Sequence, residues 1–228
     1  NGSGIVDDQI DGWPGRKSLD ENPKAPFKDV DSNGIYTPSG GDYPILRETC
    51  KGIKIDNDAA DQHDQMLWWI YNDNGNIHSE PQADAIQIEI QTTAFAFATN
   101  DEINDMTFYT TSLINRGANQ LTNTYFGQWV DADLGNYSDD YVGCDVNLSL
   151  GFCYNGDDND EGVLGYGLNP PSVGVDFFEG PTIDTTINGV DTSIELGLSK
   201  FVFYNNDQNQ INGNPFAPSD FYNYLQGK

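Results

Sequence analysis

Ala85-Ile86-Gln87-Ile88-Glu89-Ile90-Gln91-Thr92-Thr93-Ala94-Phe95-Ala96-Phe97-Ala98 alternates with a period of two. Ile86, Ile88 and Ile90 fall on one side and Gln87, Glu89 and Gln91 on the other, and Phe95 and Phe97 continue the pattern with alanine between them. Successive side chains of a strand point to opposite faces, so this is the signature of a half-buried strand. Before it stands a second apolar run, Met66-Leu67-Trp68-Trp69-Ile70-Tyr71, closed by the turn signal Asn72-Asp73-Asn74-Gly75. Further β-like runs follow at 106–115, 124–130, 141–146, 151–154, 173–178 and 200–204. Only 219–225 reads as a helix, with Ser219 at its N-cap. Many short strands joined by Gly, Asn and Asp turns predict an all-β chain, a β-sandwich with long Asp/Asn/Gly-rich loops. Residues 1–60 carry few apolar runs and are expected to form an irregular lead-in. The sandwich domain is expected over 61–228, or as one continuous domain with the lead-in.

The 36 acidic residues against 10 basic ones give a formal charge of −26. Self-repulsion on that scale works against a compact state unless something neutralises it. Divalent cations are the natural counter-ions, because the acids bunch in Asp-rich loops; plain solubility is the alternative. Nucleic-acid phosphates and anionic membranes are excluded as partners. No run approaches the roughly 18 apolar residues of a membrane span, so membrane insertion is not expected. The first residues hold no Met, basic segment or apolar segment of a signal peptide, and the last follow directly on the short helix. The chain is therefore read as a mature or excised piece whose natural sequence continues.

The sharpest local pattern is Asp29-Val30-Asp31-Ser32-Asn33-Gly34-Ile35-Tyr36. Oxygen side chains at positions 1, 3 and 5, glycine at 6 and a backbone carbonyl at 7 match the first half of a calcium loop. Calcium takes six to eight hard oxygen ligands, and glycine permits the turn that lets them converge. Asp29, Asp31, Asn33 and the Ile35 carbonyl are the candidate ligands. An EF-hand would place a bidentate Glu at position 12, where Gly40 stands, so Asp42 is the candidate to close the site; an Asx-rich turn is the plain alternative. A second cluster runs Asp131, Asp133, Asp139, Asp140 and Asp145; Asp131, Asp133, Asp140 and Asp145 are expected to hold another Ca²⁺, with a solvated acidic loop as the alternative. A third run, with Asp157, Asp158, Asp160 and Glu161, reads as a solvated acidic loop. Mg²⁺ fits less well, since it prefers to keep its waters.

Cys144 and Cys153 flank a stretch in which Asn147 and Gly151 could turn a hairpin, which makes a disulfide plausible, with two buried thiols as the alternative. A bridge would imply an oxidising compartment and leave Cys50 unpaired. The imidazoles are His63 and His78, His63 in a polar stretch, and no G-x-S-x-G, P-loop or H-E-x-x-H motif occurs. No carboxylate pair stands out from the turn clusters, so an enzyme is not expected. Trp13, Trp68, Trp69 and Trp129 offer either core packing or a sugar-stacking platform. In a strand Trp68 and Trp69 must face opposite ways.

The calcium-like loop, Asp64-Gln65-Met66-Leu67-Trp68-Trp69-Ile70-Tyr71-Asn72-Asp73, Ala94-Phe95-Ala96-Phe97-Ala98, the segment from Tyr125 to Gly135 and Asp139-Asp140-Tyr141-Val142-Gly143-Cys144-Asp145 occur in that order. Together they resemble large secreted proteins of Bacteroidota that carry a C-terminal type IX secretion sorting domain. The resemblance spans roughly residues 25–228, and it implies export and surface attachment or release but no chemistry. In such proteins the calcium-like loop carries more Asp after the Pro, and Ser39-Gly40-Gly41-Asp42 departs from that. The function expected is a calcium-stabilised structural or adhesive module of a secreted surface protein, with other surface proteins or glycans as partners. The rival is a carbohydrate-binding module or the accessory domain of a polysaccharide-degrading enzyme.

Overall fold

A computed structural model describes residues 12–22, 24–45, 64–205 and 212–228; Cys50 and His63 lie outside the described residues. Among these residues the strands pair into five antiparallel sheets, accompanied by one α-helix, so the chain is all-β. Its stacking into a sandwich stays an expectation. Two compact units divide the chain: residues 1–77 with 84–120, and 78–83 with 121–228. No helix among the described residues is long and apolar enough to cross a membrane.

In the first unit β1 (Phe27–Lys28) pairs with β2 (Tyr43–Pro44), and β3 (Gln65–Asn72), β4 (Ile88–Ala96) and β5 (Thr107–Asn115) form a meander with β4 in the middle. The alternating stretch is therefore the central strand, but it begins later than its pattern. Gln87 takes a left-handed φ of 63°. The Asp73 carboxylate accepts the N–H of Ile86 at 2.6 Å and of Ile88 at 2.8 Å, so regular pairing starts only beyond Gln87. The sidedness also differs from the pattern. Phe95 lies on the face of Gln91, opposite to Ile88 and Ile90, because it follows Ile90 by an odd number of positions. Met66, Phe95 and Phe108 line up across that face, followed by Trp68, Thr93 and Thr110. There the lead-in packs: Trp13, Ala25 and Tyr36 are buried, with Phe27, Met66 and Trp68 against them. Trp13 donates its indole N–H to the Pro26 carbonyl at 3.0 Å, and Phe27 meets Tyr36 edge-on at 5.1 Å. Burying such side chains contributes about 2 kcal/mol each, which is enough to draw Gln91 and Thr93 inward with them. Trp68 and Trp69 do face opposite ways, Trp69 remaining 39% exposed.

The second unit is built on β6 (Asp140–Asp145), β7 (Leu150–Asn155) and, beyond the short pair β8 (Asn159–Asp160) and β9 (Gly167–Leu168), β10 (Ser172–Asp176), in the order β10-β7-β6. Two of the expected β runs, 124–130 and 200–204, form no strand. Side-chain contacts hold them instead. Trp129 donates its indole N–H to the Tyr204 hydroxyl at 2.6 Å, Tyr125 packs edge-on against Tyr222, and Tyr204 stacks on Tyr224. Tyr222 and Tyr224 belong to α1 (Pro218–Leu225). Its N-cap is Ala217 and not Ser219, because Pro218 opens the first turn and Asp220 reaches back to the N–H groups of Ala217 and Phe216. A hairpin that the period-two reading missed, β11 (Thr182–Ile187) and β12 (Val190–Glu195), turns on Asn188-Gly189, both with positive φ.

Cys144 and Cys153 are both free thiols, which corrects the disulfide. The register places Cys144 opposite Gly151, and Cys153 opposite Val142, so the two are offset by two positions. Such diagonal neighbours have Cβ atoms farther apart than the about 4 Å a bridge needs. Gly151 lies within β7, and the turn itself spans 146–149. Burial, and then the Asp140 charge, push the Cys153 thiol up. As free thiols, these two cysteines carry no sign of an oxidising compartment.

Candidate metal centre

The first acidic loop is folded by its own carboxylates. Asp29 accepts the N–H of Asn33 at 3.1 Å and of Gly34 at 2.6 Å, one on each oxygen. Asp31 accepts the Asn33 N–H at 3.2 Å and the Asn33 amide at 2.7 Å. The Asn33 side-chain oxygen accepts the Ile35 N–H at 2.6 Å, so Asn33 and Ile35 complete the turn. Ser32 and Gly34 adopt the positive φ values this winding requires, 60° and 75°. The Gly34 N–H above all, with those of Asn33 and Ser32, holds the Asp29 carboxyl below the usual carboxylate range.

After Tyr36 the chain makes one 3-10 turn, Pro38–Gly40, and reverses at Gly41, whose φ is 100°. This returns Asp42 to the loop it follows. Asp42 is 2% exposed and bridges the N–H groups of Val30 at 2.9 Å and Thr37 at 2.7 Å. Asp29, Asp31 and Asp42 then present carboxylate oxygens within 4.8 Å of one another, the one such acidic trio among the described residues. Each carboxylate has about four lone-pair sites and uses two on the loop. Three hard oxygen donors at that spacing, with lone pairs left, fit Ca²⁺ and not a thiol- or imidazole-seeking metal.

The second set of candidates is divided by the structure. Asp131 and Asp133 are exposed. Asp140 opens β6 and accepts the Leu134 N–H at 3.1 Å. Asp145 closes the same strand, where it caps the turn into β7 by accepting the N–H groups of Asn147 at 2.9 Å and Leu148 at 3.2 Å. A six-residue strand separates its ends by roughly 16 Å, so Asp140 and Asp145 do not share an ion. Asp139 and Asp160 stand beside Asp140 instead. The run containing Asp160 is not wholly solvated: Asp160 is 2% exposed and bridges the N–H groups of Asn136 at 3.1 Å and Tyr166 at 2.8 Å. Gly135 rests on it, and a Cβ there would come within 1.9 Å of an Asp160 oxygen. Burial, and then the charges of Asp139, Asp160 and Asp133, push the Asp140 carboxyl above its usual range, against the opposing Leu134 N–H.

Asp139 and Asp160 both fall in the acidic runs of the sequence, but that they stand together beside Asp140 is not legible there. The signal available was weak: Asp160 sits 24 residues from the amide it caps, and only the Gly135 and Gly165 positions hint at a tightly wrapped loop. The four tryptophans do not form one platform, since Trp13 and Trp68 pack in the first unit's core. Compared with protein-family models, curated proteins and solved structures, the chain matches none.

Proposed function

We propose that this chain is a calcium-stabilised structural or adhesive module of a secreted bacterial surface protein, acting outside the cell. The observation that carries the reading is the convergence of Asp29, Asp31 and Asp42 within 4.8 Å. Ca²⁺ held there would tie the lead-in loop to its own closing turn and offset part of the charge of −26. The export route rests on the resemblance of the quoted segments to sorting-domain proteins. Adhesion is supported by apolar side chains left open on the sheets: Leu67, Trp69, Tyr71 and Tyr109 share one face of the β3-β4-β5 meander and are all exposed. Surface proteins or glycans are the partners such a face would take. The structural reading is preferred to the carbohydrate-binding one because the acidic trio is a built feature, whereas the tryptophans are split between core and surface.

The test is calorimetric unfolding in excess EGTA, then with millimolar Ca²⁺ or Mg²⁺ restored. An ion that binds only the folded state adds about 2.7 kcal/mol at a hundredfold excess over Kd, worth roughly 5–10 °C for a chain of this size. The expected result is that rise with Ca²⁺ and little with Mg²⁺. No shift, together with no metal in the purified protein by elemental analysis, would overturn the reading.

A further inference from the structure

The outer edge of β5 is open along its length. The Arg116 N–H meets the Gln87 carbonyl at 2.9 Å, in continuation of the β4–β5 register. Backbone groups alternate between the two sides of an antiparallel strand, so the even-numbered residues of β5 turn theirs to β4 and the odd-numbered ones outward. Thr107, Tyr109, Thr111, Leu113 and Asn115 thus hold their N–H and C=O groups away from the sheet, where they have no partner among the described residues. Their side chains are exposed as well. Such an edge is normally blunted by proline, a bulge or a charge. In β5 the run Thr107-Phe108-Tyr109-Thr110-Thr111-Ser112-Leu113-Ile114-Asn115 has no proline and no charge, and its pairing with β4 is unbroken. That is unusual in a chain of net charge −26.

The run is also complementary to itself. Two copies laid antiparallel about Thr111 pair all nine residues of the strand. Phe108 then faces Ile114 of the second copy, Tyr109 faces Leu113, Thr110 faces Ser112 and Thr111 faces Thr111. Aromatic rings meet aliphatic side chains and hydroxyls meet hydroxyls, the cross-strand pairs that stabilise a sheet. In this register the outward groups of the five odd-numbered residues face one another and make about ten hydrogen bonds. The ends agree in charge: Arg116 follows the strand, and Asp101, Glu102 and Asp105 precede it, so each copy's cation comes beside the other's acids. At β3, the opposite edge of the sheet, Asp64 stands before the strand and Asp73 after it, and the same arrangement would set acid against acid. We propose that β5 is a homodimerisation edge, at which two copies of this chain join their meanders into one six-stranded sheet. The two-fold contact uses up both edges and closes. It also doubles the exposed face that carries Leu67, Trp69, Tyr71 and Tyr109. The edge shares no residue with the Asp29 trio and stands or falls apart from the Ca²⁺ reading.

The experiment is sedimentation velocity of the full chain over a range of concentrations. Physiological ionic strength screens the repulsion between copies beyond about 8 Å. The wild type should pass from monomer to dimer as concentration rises. Thr111→Pro removes an outward N–H and none that β4 uses, so it should weaken the dimer by roughly tenfold or more while circular dichroism stays unchanged. Should that variant fail to fold, Thr111→Lys sets two like charges at the two-fold axis and should do the same. Register is read by oxidation of Thr111→Cys and Thr107→Cys, with peptide mass spectrometry identifying which cysteines have joined. The two copies of Thr111 would lie about 5.5 Å apart between Cα atoms, within disulfide reach, and those of Thr107 about 26 Å apart. The expected result is a link between two chains at the first position and none at the second. A wild type that stays monomeric at every concentration overturns the proposal and leaves the edge to a strand of another protein. A dimer that survives both Thr111 substitutions, or a Thr107→Cys chain that links as readily as Thr111→Cys, overturns it too.

Discussion

Two acidic loops of similar composition solve the same electrostatic problem in different ways. In the first, Asp29, Asp31 and Asp42 each accept hydrogen bonds within 12 residues along the chain, and the three converge with every carboxylate partnered. In the second, Asp160 is as buried as Asp42 and also bridges two amides, but Asp139 and Asp140 each keep one sealed, unpartnered oxygen. The contrast lies in where the donors come from. The Asp29 loop supplies its own, through turns that close over two to five residues and one contact across 12. The Asp140 loop depends on a contact across 24 residues, so its geometry is set by packing around Asp160 and not by local turn chemistry. A loop of the first kind can hold its shape before an ion binds. One of the second kind carries a standing cost until something neutralises it.

The largest expected difference comes from the glycine inside each loop. Gly34 and Gly135 both have positive φ, 75° and 69°, where a Cβ costs about 1–2 kcal/mol. At Gly34 the added Cβ meets only the tip of Leu19 at 3.2 Å, a side chain free to move. At Gly135 it runs into the pinned Asp160 carboxylate and the Tyr166 ring, and overpacking adds about 1–3 kcal/mol. Gly135→Ala should therefore lose roughly 3–4 kcal/mol, and Gly34→Ala about 1–2. Urea unfolding followed by circular dichroism measures both; equal losses would mean that the second loop is no more tightly determined than the first.

What could be read in advance follows the same division. Position spacing alone marks Asp29, Asp31, Asn33 and Gly34, because their partners are their near neighbours. It marks Asp42 too, as the first acid past Gly40. The central strand was legible as a strand from its alternation, but not its inward face. Phe95 falls one residue out of step with the alternating isoleucines, and the lead-in packs where Trp68 and Phe95 are. The runs at 124–130 and 200–204 have strand composition, yet their aromatic rings meet α1 and each other, a long-range preference that no local pattern records. Asn188-Gly189, by contrast, was a local hairpin signal in plain view between alternating residues.

A smaller effect separates the two buried bridging carboxylates. Asp42→Asn and Asp160→Asn each turn an acceptor into an amide facing a backbone N–H, a loss of about 2–3 kcal/mol. For Asp42 the removed charge also relieves Asp29 and Asp31, whose oxygens lie within 4.8 Å, so in EGTA the net loss should be about 1–2 kcal/mol. For Asp160 the removed charge also relieves Asp140, so in EGTA the net loss should likewise be about 1–2 kcal/mol. With Ca²⁺ restored, Asp42→Asn also loses a ligand of the proposed ion, so its cost should grow while that of Asp160→Asn stays as it was. The same urea titrations in both buffers check this, and an Asp42→Asn cost that Ca²⁺ leaves unchanged would detach Asp42 from the ion.

The smallest effect is in pH, and its sign differs between the units. In the first, the Arg116 guanidinium, 2.7 Å from Glu89, holds that carboxyl below its ordinary range. A lowered folded pKa contributes stability that is present above the unfolded value and lost as pH falls through the folded one. Asp140 runs the other way. Burial first, then its acidic neighbours, raise its carboxyl, so the folded state binds the proton more readily than the unfolded chain. That contribution is present below the ordinary Asp value and disappears as pH rises through the raised one. Without metal, acidification from pH 7 into the carboxylate range should thus favour the second unit at Asp140, while Glu89 gives way only lower still. The general relief of net charge would add to any such gain, so the useful quantity is the difference between the wild type and Asp140→Asn, melted in EGTA across that range. A wild-type advantage that grows on acidification fits the raised carboxyl. A difference that is flat with pH would mean that Asp140 holds no excess proton in the folded state.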